Sequence, residues 1–308
     1  MAGFKRQLTY VFFILLSAAV LLSCRKFEGD QTIPAYISLD SMSLQTDYSF
    51  EGSNSQKITT IWIYVDDNIQ GIYELPFSVP VLTEGTHKLT IEAGIFLNGI
   101  KALRVPYPFY KPIYQDVDFV PGQVINLNDG NYQYSTTYES TCDFVWIEDF
   151  EDPSISLDSL SPSHVDIHRT YPGGDPEAYL DDHSLYSGVI TLSGDKNYFR
   201  VATNVGNDEG FVLPRGNNPV FLEINFKSNA VFTVGVFVKG ISTVETSEVL
   251  NFNTSSEWNK VYVNLKPVVN ASVNAIDFNI FFEGYGGYGL EPTKIYLDNI
   301  KLIHYKVN

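Results

Sequence analysis

Ile58-Thr-Thr-Ile-Trp-Ile-Tyr-Val65, followed by Asp66-Asp67-Asn68 and then by Ile69-Gln-Gly-Ile-Tyr-Glu74, sets the fold class of this chain. β-Branched and aromatic residues dominate both runs, and such side chains suit a pleated, half-buried surface. The polar trio between them tolerates the backbone angles of a tight reversal, so the segment predicts a β-hairpin. Leu75-Pro76 and Val79-Pro80 follow as edge or connection signals, because proline cannot donate to a ladder. Gly85-Thr-His-Lys-Leu-Thr-Ile91 opens another alternating run. From Tyr36 onward, short runs broken by Gly, Pro, Asn and Asp continue with no convincing amphipathic helix. The expectation is an all-β protein.

Upstream, Lys5 and Arg6 precede an uncharged stretch from Leu8 to Ser23 that ends at Cys24. A basic start, an apolar run too short to span a bilayer comfortably and a small residue before a cysteine resemble a bacterial lipoprotein signal. That resemblance implies removal of residues 1–23, acylation of Cys24 (palmitate included) and attachment to outer-membrane lipid. Cell-surface exposure is the expectation, with the periplasmic face also open. Several acyl chains on one residue make such an anchor effectively permanent. Residues 24–35 are polar at first and read as a tether.

Loss of residues 1–23 removes Lys5, Arg6 and no acidic residue, leaving 18 Lys+Arg against 36 Asp+Glu, a net charge of −18. Such a balance argues against nucleic acid as a partner. Apart from Cys24 the chain holds Cys142 alone, so the mature form has no intramolecular disulfide and depends on its core. With 44% apolar and 14% aromatic residues, the chain can bury one large core or two modest ones, and two domains are expected.

The first domain spans residues 36–128. Val65-Asp-Asp-Asn-Ile-Gln-Gly71 and Glu84-Gly-Thr-His-Lys-Leu-Thr-Ile91 resemble the small immunoglobulin-like or PEGA-like sandwiches used as spacers in bacterial surface proteins. His87 reads there as a solvent-facing strand residue. Arg104-Val-Pro-Tyr-Pro-Phe-Tyr-Lys-Pro-Ile-Tyr114 packs four aromatics and three prolines into eleven residues. Proline stiffens the backbone and removes donors, which predicts an extended loop carrying rings. Tyr107, Phe109 and Tyr110 are therefore candidates for a partner or ligand surface, or else rings folded over the end of the sandwich. Residues 129–141 are polar and turn-rich and read as a linker.

A second β-domain is expected over residues 142–308. It opens with Phe144-Val-Trp-Ile-Glu-Asp-Phe-Glu-Asp152, continues through Ala178-Tyr-Leu-Asp-Asp-His-Ser-Leu-Tyr-Ser-Gly-Val-Ile-Thr-Leu192 and closes with Lys294-Ile-Tyr-Leu-Asp-Asn-Ile-Lys-Leu302. These three segments resemble the carbohydrate-binding-module jelly rolls. The resemblance implies a β-sandwich, and in that family a structural calcium often bridges the first and last strands. The matching positions are Glu151 and Asp298, with Glu148 and Asp149 nearby. The glycine and asparagine that usually surround the first acid are absent.

Sugar binding needs aromatic platforms beside amide or carboxylate groups, because a pyranose offers an apolar face and a polar rim. Trp258, Tyr285 and Tyr288 are the candidate rings, with Glu283, Asn279 and Arg200 as polar partners. Gly284-Tyr-Gly-Gly-Tyr-Gly289 reads as a binding loop or as a hairpin tip with its rings packed back. Trp146 and Trp258 also fit strand positions facing a core.

His164, Asp166 and His168 alternate, with His183 following, which would suit a metal if the segment were a strand. The flanking Ser-Pro-Ser and Pro-Gly-Gly mark loop, and no Gly-x-Ser-x-Gly elbow occurs. No catalytic set emerges. The sequence therefore supports a non-catalytic, lipid-anchored outer-membrane protein that works by binding, as an accessory subunit of an outer-membrane barrel protein in uptake or assembly. A stand-alone surface glycan binder is the alternative, and a metal-dependent hydrolase ranks last.

Overall fold

The structure, a computed structural model, describes residues 33–171, 175, 177–181, 183–203, 210–286 and 292–307. Cys24, Tyr288 and the part of the tether before residue 33 lie outside them. In the N-terminal half the elements are β1 (Ala35–Leu39), β2 (Ser43–Gln45), α1 (Tyr48–Glu51), β3 (Thr60–Val65) and β4 (Asn68–Glu74). They continue through β5 (Phe77–Val81), β6 (Gly85–Phe96), β7 (Arg104–Pro106), β8 (Ile113–Phe119), β9 (Val124–Asn126) and β10 (Ser135–Thr137). The C-terminal half begins with β11 (Cys142–Glu148), β12 (Leu157–Ser159), β13 (His168–Arg169), β14 (Gly188–Leu192) and β15 (Tyr198–Thr203). It ends with β16 (Val220–Ser228), β17 (Phe232–Lys239), β18 (Val244–Phe252), β19 (Ser255–Asn264), α2 (Lys266–Ala271), β20 (Asp277–Tyr285) and β21 (Thr293–Tyr305). The protein is all-β, with these two helices of four and six residues as its helical content among the described residues.

The hairpin forms as expected, by β3 and β4 with Val65 opposite Asn68. Asp66 and Asp67 are the two turn residues, with φ of 48° and 62°. Positive φ at both positions matches the twist of the flanking strands. The Asp66 carboxylate fixes the turn by accepting from the backbone N–H of Lys88 and by pairing with His87 Nδ1 at 2.6 Å. His87 is half-exposed, and its hydrogen bond to Asp66 raises its imidazole above the ordinary range.

Strands β4-β3-β6-β7, with β8 on β6, form one sheet of the N-terminal half, and β5-β1-β9 form a second. Pairing of β1 with β9 is parallel, as is that of β2 with β10. Ser135–Thr137 thus lies within the segment expected to be a linker, yet it is a strand on β2, and Tyr138 after it is buried. The segment was polar in sequence because its neighbours, not its own composition, supply the apolar cover.

The C-terminal half is a β-sandwich of two antiparallel sheets. One has the order β13-β14-β21-β16-β19, with β11 also on β21, and the other the order β12-β15-β20-β17-β18. Alternate residues such as Leu222, Ile224, Val234, Val236, Ile280 and Leu302 fill the space between them. In β16 and β21, residues on the opposite face are buried as well. The N-terminal half roofs that outer face: Phe221, Tyr262 and Ile303 join the same apolar cluster as Tyr107, Phe109, Tyr110 and Tyr138.

Beneath the roof sits a buried ionic group. Glu223 Oε1 accepts from the hydroxyls of Tyr107 and Tyr138, both at 2.9 Å, and Glu223 Oε2 lies 2.9 Å from Lys260 Nζ. Lys301 Nζ donates to the Ser53 carbonyl at 2.6 Å. Burial pushes the Glu223 carboxyl up, but the ammoniums of Lys260 and Lys301 and the tyrosine hydroxyls outweigh it, leaving the group below its ordinary value. Burial pushes Lys301 down to about 7, with Glu223 opposing and Lys260 adding to the fall.

Candidate functional site

The outer face of the β12-β15-β20-β17-β18 sheet is the sandwich face that the N-terminal half does not roof. Register places Tyr198 opposite Tyr285, and Arg200 opposite Glu283 and then Thr233. Thr233 in turn faces Asn251. A polar row therefore crosses four strands, about 14 Å at the usual strand spacing. Arg200 donates through Nε and Nη2 to Glu283 Oε2 at 2.8 and 2.5 Å, and Tyr198 donates to the same oxygen at 2.8 Å. Thr233 Oγ1 donates to Asn251 Oδ1 at 2.5 Å. Among the described residues, Glu283 Oε1 and Arg200 Nη1 have no hydrogen-bond partner.

Rings bracket the row. On one side Tyr285 packs against Tyr198 at 4.7 Å between centroids and is 70% exposed. On the other, Phe281 and Phe237 lie 4.7 Å apart, within 6.0 Å of the Arg200 guanidinium. Gly235 makes this packing possible, because a Cβ there would come within 2.2 Å of the Phe281 ring. Burial, then the hydrogen bond and charge of Glu283, raise the Tyr198 phenol to about 12, so it stays a donor at neutral pH. Burial works against the Arg200 charge, but Glu283 more than offsets it and the guanidinium is held above its ordinary value. The arrangement offers an exposed aromatic edge, an ion pair with unused hydrogen-bonding capacity and no nucleophile.

Three residues named from the sequence thus meet here: Arg200, Glu283 and Tyr285. Asn279 lies on the same strand and donates to the Thr203 carbonyl at 3.1 Å. Trp258 does not join them. It stands on β19 in the other sheet, donates Nε1 to the Glu177 carbonyl at 2.9 Å and packs edge-on against Tyr179. Trp146 is in the sandwich core, as expected, with Nε1 donating to Ser156 Oγ. Sequence reading missed Tyr198, Phe237 and Phe281, whose outward phase shows once their strands are paired.

Tyr107, Phe109 and Tyr110 are committed inside the chain. Tyr107 is 2% exposed and touches Phe109, Tyr110, Phe221 and Tyr262 at 4.7–5.3 Å between centroids. These rings are an interface, but between the two halves of one molecule, because burying them against Phe221 and Ile303 removes more apolar surface than displaying them. The argument for an external barrel partner at this loop falls with them.

The expected calcium ligands are also engaged by the protein. Glu151 Oε1 accepts from the N–H groups of Leu185 and Tyr186, and Asp298 accepts from Ser187 Oγ and the Asn299 N–H. Arg169 donates Nε and Nη2 to the carbonyls of Phe150 and Glu151 while stacking on Tyr186. Among the described residues no three His, Cys, Asp or Glu side chains gather where a metal could sit. Calcium needs six or more oxygens, and this donor set does not fit it. Burial, with Asp149 and Glu151 adding, holds the Asp298 carboxyl well above its ordinary range. The histidines are dispersed too: His164 meets Tyr198 edge-on, His168 pairs in β13 and His183 stacks on Tyr48.

No protein-family model matches the chain, and no curated protein does. Among solved structures it is similar to a xylan-binding domain of carbohydrate-binding module family 22, at TM-score 0.33 and 14% identity over 54% of this chain and 97% of that one. A family 29 carbohydrate-binding module gives TM-score 0.33 and 15% identity over 53% and 88%. A carbohydrate-binding module of the β-sandwich superfamily gives 0.36 and 11% over 79% and 84%. These likenesses are distant.

Proposed function

We propose that the protein is a non-catalytic glycan binder, held to the outer membrane through lipid on Cys24, with the outer face of the β15-β20-β17-β18 strands as its binding surface. The observation that carries this reading is the Arg200–Glu283 pair set between Tyr198 with Tyr285 and Phe237 with Phe281 on the open face. A pyranose ring lays its apolar face on Tyr285, while Glu283 Oε1 and Arg200 Nη1 accept from and donate to neighbouring hydroxyls. A balanced ion pair favours a neutral sugar. The N-terminal strands, as an immunoglobulin-like or PEGA-like spacer, hold this face away from the bilayer.

Titration of the full chain in mild detergent against a panel of neutral oligosaccharides tests the proposal. Saturable binding should appear, and Tyr285→Ala and Glu283→Gln should each weaken it about 30-fold, the scale of a central contact residue. Wild-type affinity in both variants would move the binding surface elsewhere.

A further inference from the structure

The cleft where the two halves meet has a charge character opposite to that of the whole chain. Lys57, Thr59 and Asn98 line it from the N-terminal half, and Asn253, Asn259 and Lys260 from the C-terminal half. No carboxylate lines it, although the chain carries 36 Asp+Glu against 20 Lys+Arg. Lys57 Nζ donates to the neutral Asn259 Oδ1 and, among the described residues, pairs with no acid. Lys260 is buried, with its ammonium 2.9 Å from Glu223 Oε2 and 5.7 Å from the centre of the Tyr262 ring, and it has unused hydrogen-bonding capacity. Thr59 Oγ1 is buried with no hydrogen-bond partner. Behind them Lys301 adds a third amine near the buried carboxylate of Glu223, with Glu51 and Asp149 acting on it more weakly.

Unsatisfied buried donors are rare in folded proteins and call for a reason. Here two such residues, Thr59 and Lys260, line one cleft beside the exposed Lys57 ammonium, and a ligand bearing acceptor oxygens and negative charge would suit that lining. We propose that this cleft binds an oxyanion, a carboxylate or sulfate, either free or carried on an acidic sugar. Phe96, Phe226 and Phe252 supply an apolar wall beside the donors. The cleft touches the β15-β20-β17-β18 face only at its β18 edge, where Asn251 belongs to both, uses none of Tyr198, Arg200, Glu283 and Tyr285, and does not depend on the glycan reading.

Titration of the full chain in mild detergent at fixed ionic strength tests it, with sulfate, glucuronate and glucose as separate probes. Saturable binding of sulfate and glucuronate, with none of glucose, is expected, and binding of either anion alone assigns the source. Lys57→Gln should lower the affinity at least tenfold, and Lys57→Arg should keep it, while Glu283→Gln leaves it unchanged. Lys57 is exposed, so an unchanged melting temperature of the ligand-free Lys57→Gln variant shows that the fold is intact. Absence of saturable anion binding, or equal affinity in Lys57→Gln, overturns the proposal.

Discussion

Replacing Glu223 with Gln keeps the shape of the side chain and removes the carboxylate that pairs with buried Lys260 and acts through space on buried Lys301. Glu223 is fully buried, faces Lys260 Nζ at 2.9 Å and receives two tyrosine hydroxyls. In the variant Lys260 has no anion, and a carboxamide can turn its NH2 group toward an ammonium. Breaking one side of a buried ion pair costs about 3–5 kcal/mol because the remaining charge stays desolvated. At about 2–4 °C per kcal/mol for a chain of this size, the melting temperature should fall by roughly 10 °C. Urea unfolding followed by tryptophan fluorescence, which samples Trp62 in one half and Trp146 and Trp258 in the other, gives the free energy directly. The triple change Glu223→Leu, Lys260→Met, Lys301→Met removes charge from both sides and should come close to wild-type stability. A Glu223→Gln variant within about 1 kcal/mol of wild type would refute the reasoning, since it would mean that water reaches the cluster.

Lys301, lowered to about 7 by burial, loses its proton in the folded chain before the unfolded chain does. Its contribution to stability should therefore rise as pH increases from 7 toward 10.5, and Lys301→Met should flatten that rise in urea midpoints. The phenols of Tyr107, Tyr110 and Tyr138, raised chiefly by burial, act in the opposite sense above pH 10, so stability should fall again there. Arg169→Met leaves the Phe150 and Glu151 carbonyls without their donor and should destabilise by about 2 kcal/mol, read from the thermal midpoint. Millimolar calcium should leave the wild-type midpoint unmoved, since Glu151 Oε1 and both Asp298 oxygens already accept hydrogen bonds from the protein. Gly235→Ala should displace the Phe281 ring and weaken oligosaccharide binding by tenfold or more in the same titration used for Tyr285.

Local features were readable because they depend on residues next to one another. The Asp66-Asp67 turn, the alternating strands around it and the all-β character belong to this class. Arg200, Glu283 and Tyr285 were each visible as candidates, yet nothing local says that residue 200 stands opposite residue 283. That pairing comes from the β15–β20 register, and with it come Tyr198 and Phe281. Burial of Tyr107, Phe109 and Tyr110 was equally unreadable, because their cover is supplied by Phe221, Tyr262 and Ile303, more than a hundred residues away. A signal was present in Phe221-Leu-Glu-Ile-Asn-Phe-Lys227 and in Ile300-Lys-Leu-Ile303: charges at one phase of otherwise apolar strands imply a second buried face. Arg169 gave no sign of its role, since a guanidinium that ties the Phe150 and Glu151 carbonyls looks in sequence like any surface arginine.

The two halves are joined by more than a chain crossing. Apolar rings, a desolvated charge cluster and the Ser55–Asn225 hydrogen bonds fasten the roof to the six-stranded sheet. On the proposed function, a pull on Tyr285 by a bound polymer would be delivered to the whole body. Force reaching the β21–β16 ladder runs along two long antiparallel strands and loads their hydrogen bonds in shear, many at once.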